Sequence, residues 1–208
     1  MESLENHLID TEIGIIKLLD PPFNKTKLEP GYIKAYLPGV RENGGQYTHA
    51  AMWAIIAFAK LGFGDKALEY YRMINPIEHT RTKEAAIKYK QEPYVIPADI
   101  YGSNNLVGRG GWTWYTGSSS WFLNAGIENI LGLKVENEIL KLEPCIPKKW
   151  EEYSIKYRYN TSIYNIKIKN PNGKNSGVKE FYLNGNKIEE KQIKLKDNKT
   201  INEIEIIL

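Results

Sequence analysis

The hydrophobic period changes once along this chain of 208 residues, and that change limits the folds it can adopt. Before Pro147 apolar residues recur at the 3.6-residue spacing of helices, and after it they alternate with polar residues at period two. The sequence therefore predicts an α + β protein in two parts, with a helical part over 1–140 and a β part over 141–208.

A short helical or irregular piece is expected at 82–90, and the first part carries clear helical patterns at 46–61, 65–74 and 118–131. The first of these is apolar nearly all round, which predicts a helix buried on all sides. Asp65 is expected to cap the second, whose polar side makes it the outer member of a helical hairpin. Gly132 is expected to close the last one.

The second part reads as five or six short antiparallel strands that form a sheet or a small sandwich. Asn170–Gly173 and Asn184-Gly185 have the composition of tight turns between such strands. The alternating segments are 153–159, 161–170, 179–185, 192–196 and 202–208.

Charge and composition exclude several classes of function. A formal net charge of +3 with scattered basic residues argues against a nucleic-acid partner. No apolar run reaches about 18 residues and the start lacks a signal pattern, so we expect a cytoplasmic chain with no membrane partner. The single cysteine, Cys145, is expected to be a small buried residue, and no metal-ligand spacing links it to the three histidines.

The most unusual stretch is Gly108–Trp121, which reads GRGGWTWYTGSSSW and holds three of the five tryptophans. Together with Tyr94 it offers flat apolar faces with polar tips, which suit the C–H faces and hydroxyls of sugars. Nucleic-acid bases also stack on such rings, but the charge pattern does not support that partner.

Two predicted helix starts could hold an anion. His49 follows Gly44-Gly45 and Arg41 at the start of the apolar helix, where unpaired N–H groups and the helix dipole favour negative charge. Thr116-Gly117-Ser118 repeats this arrangement before the last helix. Each has a plainer interpretation, a packed core histidine in the first case and an ordinary helix cap in the second. Together they could bind a phosphate from two sides.

Three carboxylates could act as acid or base, namely Glu42, Glu92 and Asp99. Nothing in their spacing singles out one of them.

Five long motifs, taken in order, resemble the carboxy-terminal part of the glycoside phosphorylases of glycoside hydrolase family 94. The wording ENGGQYTHAA and GGWTWYTGS is most similar to the members that act on β-1,2-glucans. The motifs are PGVRENGGQYTHAAMW, AFAKLGFGDKALEYYRMINPIEHT, KQEPYVIPADIY, GRGGWTWYTGSSSWFLNAGIENILGL and LEPCIPKKW.

The resemblance implies that the helical part is the last hairpins of an (α/α)6 barrel, followed by the carboxy-terminal β domain. It implies an inverting reaction in which inorganic phosphate is a co-substrate and no other cofactor is needed. In the family a general-acid aspartate lies upstream of the matched region, so we expect no catalytic residue in this chain. The resemblance assigns phosphate binding to His49, Thr116 and Gly117, and it places Arg41 and Glu42 near the sugar subsites. We also predict that Gln46 and the aromatic residues Tyr94, Trp112, Trp114 and Tyr115 bind sugar.

Three hypotheses for function remain open at this point. The first is a fragment of a phosphorylase that releases α-glucose 1-phosphate from β-linked gluco-oligosaccharides, incomplete alone and working with an upstream fragment or as a homodimer. The second is a non-catalytic carbohydrate-binding module. The third is a structural or oligomerisation piece.

Overall fold

The computed structural model describes residues 1–103 and 105–208, and it is a mixed helical and β structure, as predicted. The helices are α1 Glu2–His7, α2 Thr48–Lys60, α3 Gly64–Met73, α4 Pro76–His79, α5 Lys83–Tyr89 and α6 Thr116–Asn124, with a 3₁₀ turn at Gly31–Ala35 and a π-helix at Ala125–Ile130. The strands are β1 Ile9–Asp10, β2 Ile15–Ile16, β3 Gln46–Tyr47, β4 Asp99–Ile100, β5 Leu133–Glu136, β6 Ile139–Leu142, β7 Glu152–Tyr159, β8 Ser162–Lys169, β9 Glu180–Leu183, β10 Asn186–Lys187, β11 Gln192–Lys194 and β12 Ile201–Ile207.

The chain forms two compact units, one made of residues 1–57 and 69–123 and the other of 58–68 and 124–208. In the first unit the two short strand pairs β1–β2 and β3–β4 are antiparallel. Ile15, Tyr89 and Ile100 form a small buried cluster beside them. Thr82 caps α5 by accepting the Ala85 N–H, and Lys90 ends it in the left-handed conformation, so the piece that the sequence left as helical or irregular is a helix.

Helix α2 occupies most of the predicted segment, but it is not buried on all sides. Met52 and Ile55 are fully buried, whereas the indole of Trp53 is 55% exposed. Apolar residues all round a helix show only that every side of it could be buried. In the described part of this chain, the side of α2 that carries Trp53 is left open.

The second unit is a β structure whose two sheets share one core. One sheet has five strands in the order β10-β9-β12-β8-β7, and the other has three in the order β11-β6-β5. Leu140 and Leu142 from the small sheet pack with Ile166, Ile168 and other apolar residues of the large sheet. Burial alternates along β8, with every second residue inside, as the period-two pattern predicted.

One pairing corrects the antiparallel prediction. β12 pairs with β8 in parallel over seven residues, from Ile201 opposite Ile163 to Ile207 opposite Lys169. Alternation has the same period in both kinds of ladder, so the pattern could not tell them apart. Strands β5 and β6 before Pro147 were not predicted at all.

Asp65 was expected to cap α3, but α3 begins one residue earlier, at Gly64. Its carboxylate instead accepts the Lys148 N–H at 3.1 Å and the side-chain amide of Asn175 at 2.9 Å, within the second unit. The residue therefore joins the first turn of α3 to loops of the β structure.

The last predicted helix is present as α6 and the π-helix that continues it. It ends before Gly132, whose φ of +77° is left-handed and whose added Cβ would lie 2.3 Å from the Glu143 carbonyl carbon. A glycine is required here on both counts. Cys145 is buried, as expected, and burial raises the pKa of its thiol to about 11.

Candidate functional site

The strand pair β3–β4 fixes the start of α2. Tyr47 lies opposite Asp99 in the ladder, and the Thr48 N–H donates to the Ala98 carbonyl at 2.8 Å. The first turn of α2 is thereby held against the segment that leads to Asp99.

His49 lies in that first turn, between two tryptophans. Its ring centroid is 4.9 Å from that of Trp53 and 5.6 Å from that of Trp121. Its Nε2 atom is buried and has no hydrogen-bond partner among the residues that the structure describes. A buried polar atom without a partner costs free energy, so a ligand that pairs with Nε2 would remove that cost.

Thr116 and Gly117 begin α6, and both are exposed. An added Cβ on Gly117 would meet no atom within 4 Å, so the space above this helix start is open. The next residue, Ser118, is buried and its hydroxyl donates to the Tyr115 carbonyl at 3.0 Å. The first N–H groups of a helix have no acceptor within the helix and are therefore available to an anion.

Trp121 connects the two helix starts. It lies in α6, one turn and a half beyond Thr116, and its indole contacts both the His49 ring and the Trp53 indole, the latter at 5.9 Å and 84°. The structure thus brings together the helix that carries His49 and the helix that Thr116 and Gly117 begin.

Arg41 and Glu42 form a second group of polar residues. The Arg41 Nε donates to the Glu42 carboxylate at 3.4 Å. The guanidinium lies over the Tyr36 ring at 5.4 Å and over the Trp112 ring at 6.0 Å. The Arg41 backbone has a φ of +50°, a left-handed conformation that is unusual outside glycine.

Asp99 is the most buried of the three carboxylates that the sequence left unranked, with 1% of its surface exposed. Its Oδ1 accepts the Trp112 N–H at 3.2 Å, while Oδ2 is buried and unpartnered among the described residues. Burial raises the pKa of this carboxyl, opposed by the Trp112 N–H and the charge of Arg41 and assisted by the charge of Glu42.

Three aromatic side chains predicted to bind sugar are open to solvent. Tyr94 is 76% exposed, and Trp112 and Trp114 are each 67% exposed. Tyr94 and Trp114 meet edge to face at 6.3 Å, and the Trp114 indole N–H donates to Glu92 at 3.3 Å. Rings that are held in place but uncovered are suited to bind a flat ligand.

Two further predicted residues are tied to the protein itself. Gln46 is fully buried; its carbonyl oxygen accepts the Ile16 N–H and its amide donates to Thr48. Tyr115 shares a hydrogen bond with Tyr47. Burial is the main reason that the pKa of Tyr47 is raised, and this hydrogen bond adds to the effect. Gln46 therefore supports the start of α2 in this structure, and its assignment to sugar binding stays a prediction.

Trp121 belongs to the aromatic stretch that the sequence singled out, but the sequence did not point to Tyr36, Tyr47 or Trp53 as neighbours of the site. Aromatic residues are common in cores, and only the fold shows which of them stand beside Arg41 or His49. Among residues 1–103 and 105–208 there is no group of His, Cys, Asp and Glu that could hold a metal ion. The helices in the same residues are also too short or too polar to cross a bilayer.

Comparison with known proteins identifies the family to which the chain belongs. Residues 1–132 match the model of the glycosyl hydrolase 94 superfamily catalytic domain, and residues 133–174 match that of the glycosyl hydrolase family 65 C-terminal domain.

Three curated relatives illustrate the similarity. The chain is 48% identical to the cyclic beta-(1,2)-glucan synthase NdvB of Rhizobium meliloti over 81% of its own length and 6% of that protein. It is 33% identical to the N,N'-diacetylchitobiose phosphorylase of Vibrio furnissii, over 81% of this chain and 21% of the relative. It is 30% identical to the 1,2-beta-oligoglucan phosphorylase of Listeria innocua, over 52% of this chain and 11% of the relative. The chain thus spans less than a quarter of each of these proteins.

Proposed function

Since the chain belongs to the glycosyl hydrolase 94 superfamily, as its motifs predicted, we propose that it is the carboxy-terminal part of an inverting glycoside phosphorylase. The substrates are inorganic phosphate and a β-linked gluco-oligosaccharide, most specifically of the β-1,2 type, and one product is α-glucose 1-phosphate. The observation that carries the proposal is the buried, unpartnered Nε2 of His49 on a helix that packs against the helix begun by Thr116 and Gly117.

Phosphate binds in this proposal between the two helix starts. His49 offers a ring nitrogen, and the first turn of α6 offers backbone N–H groups and the Thr116 hydroxyl. A helix N-terminus favours an anion through both its free N–H groups and its dipole. The open space at Gly117 leaves room for the phosphate oxygens.

The oligosaccharide lies along the exposed aromatic rings. Trp112, Trp114 and Tyr94 present their faces to the sugar C–H groups, and Arg41 and Glu42 bind hydroxyls. The similarity to proteins named for β-1,2-glucans, at 48% and 30% identity, supports the β-1,2 linkage over others.

The reaction requires one acid and no second carboxylate. A phosphate oxygen attacks the anomeric carbon as the glycosidic C–O bond breaks, and a general acid gives its proton to the leaving oxygen. This chain supplies the phosphate and sugar contacts. The general acid comes from an aspartate of the preceding part of the enzyme.

The helices of residues 1–132 are, in the same proposal, the last hairpins of an (α/α)6 barrel. The exposed indole of Trp53 on α2 supports this, because a barrel helix is covered by the hairpin that precedes it. The matched relatives have four or more times the length covered here, which leaves room for those hairpins.

The test is phosphorolysis of β-1,2-linked and β-1,4-linked gluco-oligosaccharides, measured as released glucose 1-phosphate. The chain is assayed alone and together with the preceding barrel segment of a relative, co-expressed as a separate polypeptide. We expect turnover only for the pair, and faster on the β-1,2 substrate. Turnover by the chain alone would place the general acid among Glu42, Glu92 and Asp99 and overturn the division of roles.

A second candidate function is a carbohydrate-binding module, favoured by the exposure of Tyr94, Trp112 and Trp114. Calorimetric titration separates the two. A module binds oligosaccharide with the same affinity whether or not phosphate is present, whereas the phosphorylase part also binds phosphate, and does so through His49.

A further inference from the structure

The segment Gly110–Trp112 is held to β4 and the residue before it by a set of short hydrogen bonds. The Gly111 N–H donates to the Asp99 carbonyl at 2.9 Å, and the Ala98 N–H donates to the Trp112 carbonyl at 2.6 Å. The only side chain of β4 that takes part is Asp99, whose Oδ1 accepts the Trp112 N–H.

The Asp99 carboxylate lies flat against this segment. A Cβ added to Gly111 would stand 2.4 Å from Oδ1 and 2.6 Å from Oδ2 of Asp99. No side chain fits between them, so residue 111 must be glycine for the carboxylate to reach the Trp112 N–H. The carboxylate is also shut off from solvent, since only 1% of the Asp99 surface is exposed.

The consequence appears on the exposed side of the segment. Trp112 has a fixed backbone and an indole that is open to solvent and lies beside the Arg41 guanidinium. The Asp99 side chain thus holds the Trp112 backbone N–H, and with the backbone bond from Ala98 it helps to fix where this indole lies. His49 and Thr116, by contrast, are carried by α2 and α6, which the Asp99 side chain does not contact through any hydrogen bond found in the described residues.

We propose that Asp99 is a positioning residue for carbohydrate: its buried carboxylate holds Trp112 in the orientation that, with Arg41, forms one sugar-binding face. The inference rests on the proposed function, because it assumes that the exposed rings bind oligosaccharide. It assigns to Asp99 an effect on sugar affinity that is transmitted through Trp112, and no effect on phosphate affinity.

A double-variant cycle on the full chain tests this. Wild type, Asp99→Ala, Trp112→Ala and the double variant are titrated calorimetrically with a β-1,2-linked gluco-oligosaccharide and, separately, with inorganic phosphate. We expect each single variant to bind the sugar about tenfold more weakly, and the double variant to bind no more weakly than Trp112→Ala. Phosphate affinity should change less than about twofold.

Losses that multiply in the double variant would overturn the inference, because Asp99 would then act without Trp112. Sugar affinity that stays at the wild-type value in Asp99→Ala would overturn it too. If wild type binds no oligosaccharide, the proposed function fails instead, and the two failures are distinct.

A readout that needs no ligand accompanies the titration. The emission and acrylamide quenching of Trp112 are taken as the difference between each protein and the same protein carrying Trp112→Phe. We expect this difference to change in Asp99→Ala and to persist in Asp99→Asn, whose side-chain oxygen still accepts the N–H. If Asp99→Ala does not fold, Asp99→Leu is used instead, because leucine fills a similar volume but has no hydrogen-bond acceptor. An unchanged Trp112 signal in the folded variant would overturn the inference.

Discussion

The imidazole of His49 and the indole of Trp121 lie 5.6 Å apart, centroid to centroid, although they belong to different helices. The contact sets the first turn of α2 beside α6. A site assembled from two helix starts depends on such a contact, because neither start alone offers more than a common cap.

Replacement of His49 should separate binding from stability. We expect His49→Ala to weaken phosphate binding at least about tenfold, since a hydrogen bond to a charged partner is lost. His49→Phe keeps a ring between Trp53 and Trp121 but lacks Nε2. Its phosphate affinity should therefore fall to the same extent, while its free energy of unfolding stays within about 1 kcal/mol of the wild-type value. Calorimetry and urea unfolding measure the two quantities.

The exposed His7 provides the matched control, because His7→Ala removes an imidazole that lies outside the site. Equal phosphate affinity in His49→Phe and His7→Ala would contradict the assignment of Nε2.

Replacement by alanine should destabilise the protein far more at one glycine of the GRGGWTWYTGSSSW stretch than at another. Gly111→Ala places a methyl group 2.4 Å from the buried Asp99 carboxylate and should cost about 2 kcal/mol or more of unfolding free energy. Gly117→Ala meets nothing within 4 Å at the start of α6 and should change stability by less than about 1 kcal/mol. Urea denaturation of both variants checks this, and similar losses for the two would show that the Asp99 carboxylate yields easily.

The turn that follows β8 contains a matched pair of asparagines. The buried Asn170 donates to the Trp150 and Lys174 carbonyls and accepts the Lys174 N–H, whereas Asn172 is exposed. We expect Asn170→Ala to lower the unfolding free energy by about 3 kcal/mol and Asn172→Ala by less than about 0.5 kcal/mol. A small effect of Asn170→Ala would mean that water replaces all three bonds.

Stability should fall in mild acid because of His79. Its ring stacks on Tyr89 at 5.0 Å and 11°, and burial lowers the pKa of His79, with Lys88 adding to the effect and the Gly14 backbone and Glu78 opposing it. The folded protein therefore keeps His79 neutral below about pH 6.5, where the unfolded chain takes up a proton. Stability is lost as the pH falls from about 6.5 towards the folded pKa, by at most about 1.4 kcal/mol per pH unit.

The measurement is urea unfolding at pH 7.5, 6.0 and 5.0 for wild type and His79→Phe, which retains a ring against Tyr89. We expect the difference between the two proteins to shift in favour of the variant as the pH falls. The same pH dependence in both would assign the acid loss to other groups.

Local pattern was enough to predict the positions of α2 and α3 and of the long strands β7, β8 and β12. It did not predict features that depend on tertiary packing, such as which side of a helix is buried and in which direction a strand pairs. The same apolar stripe that buries Ile55 leaves Trp53 exposed, and the alternation of β12 was compatible with either direction of pairing.

The site shows the same division. The sequence motifs and predicted helix starts identified His49 and Thr116 as candidate phosphate-binding residues. The structure adds the contact between His49 and Trp121, which joins their two helices. Asp99 could not be chosen over Glu42 and Glu92, because spacing does not reveal which carboxylate the fold will bury. Its burial follows from the ladder with Tyr47 and from the glycine at position 111.

The order of strands in the large sheet has a consequence for synthesis. β12 lies between β8 and β9, so a strand that follows both of them in the sequence fills the middle of the sheet. While the chain is still being translated, β7 and β8 can pair as a hairpin, but the β8 edge that β12 will cover stays open. The sheet is completed only after Ile207 has left the ribosome, and until then the open β8 edge can pair with another copy of the chain.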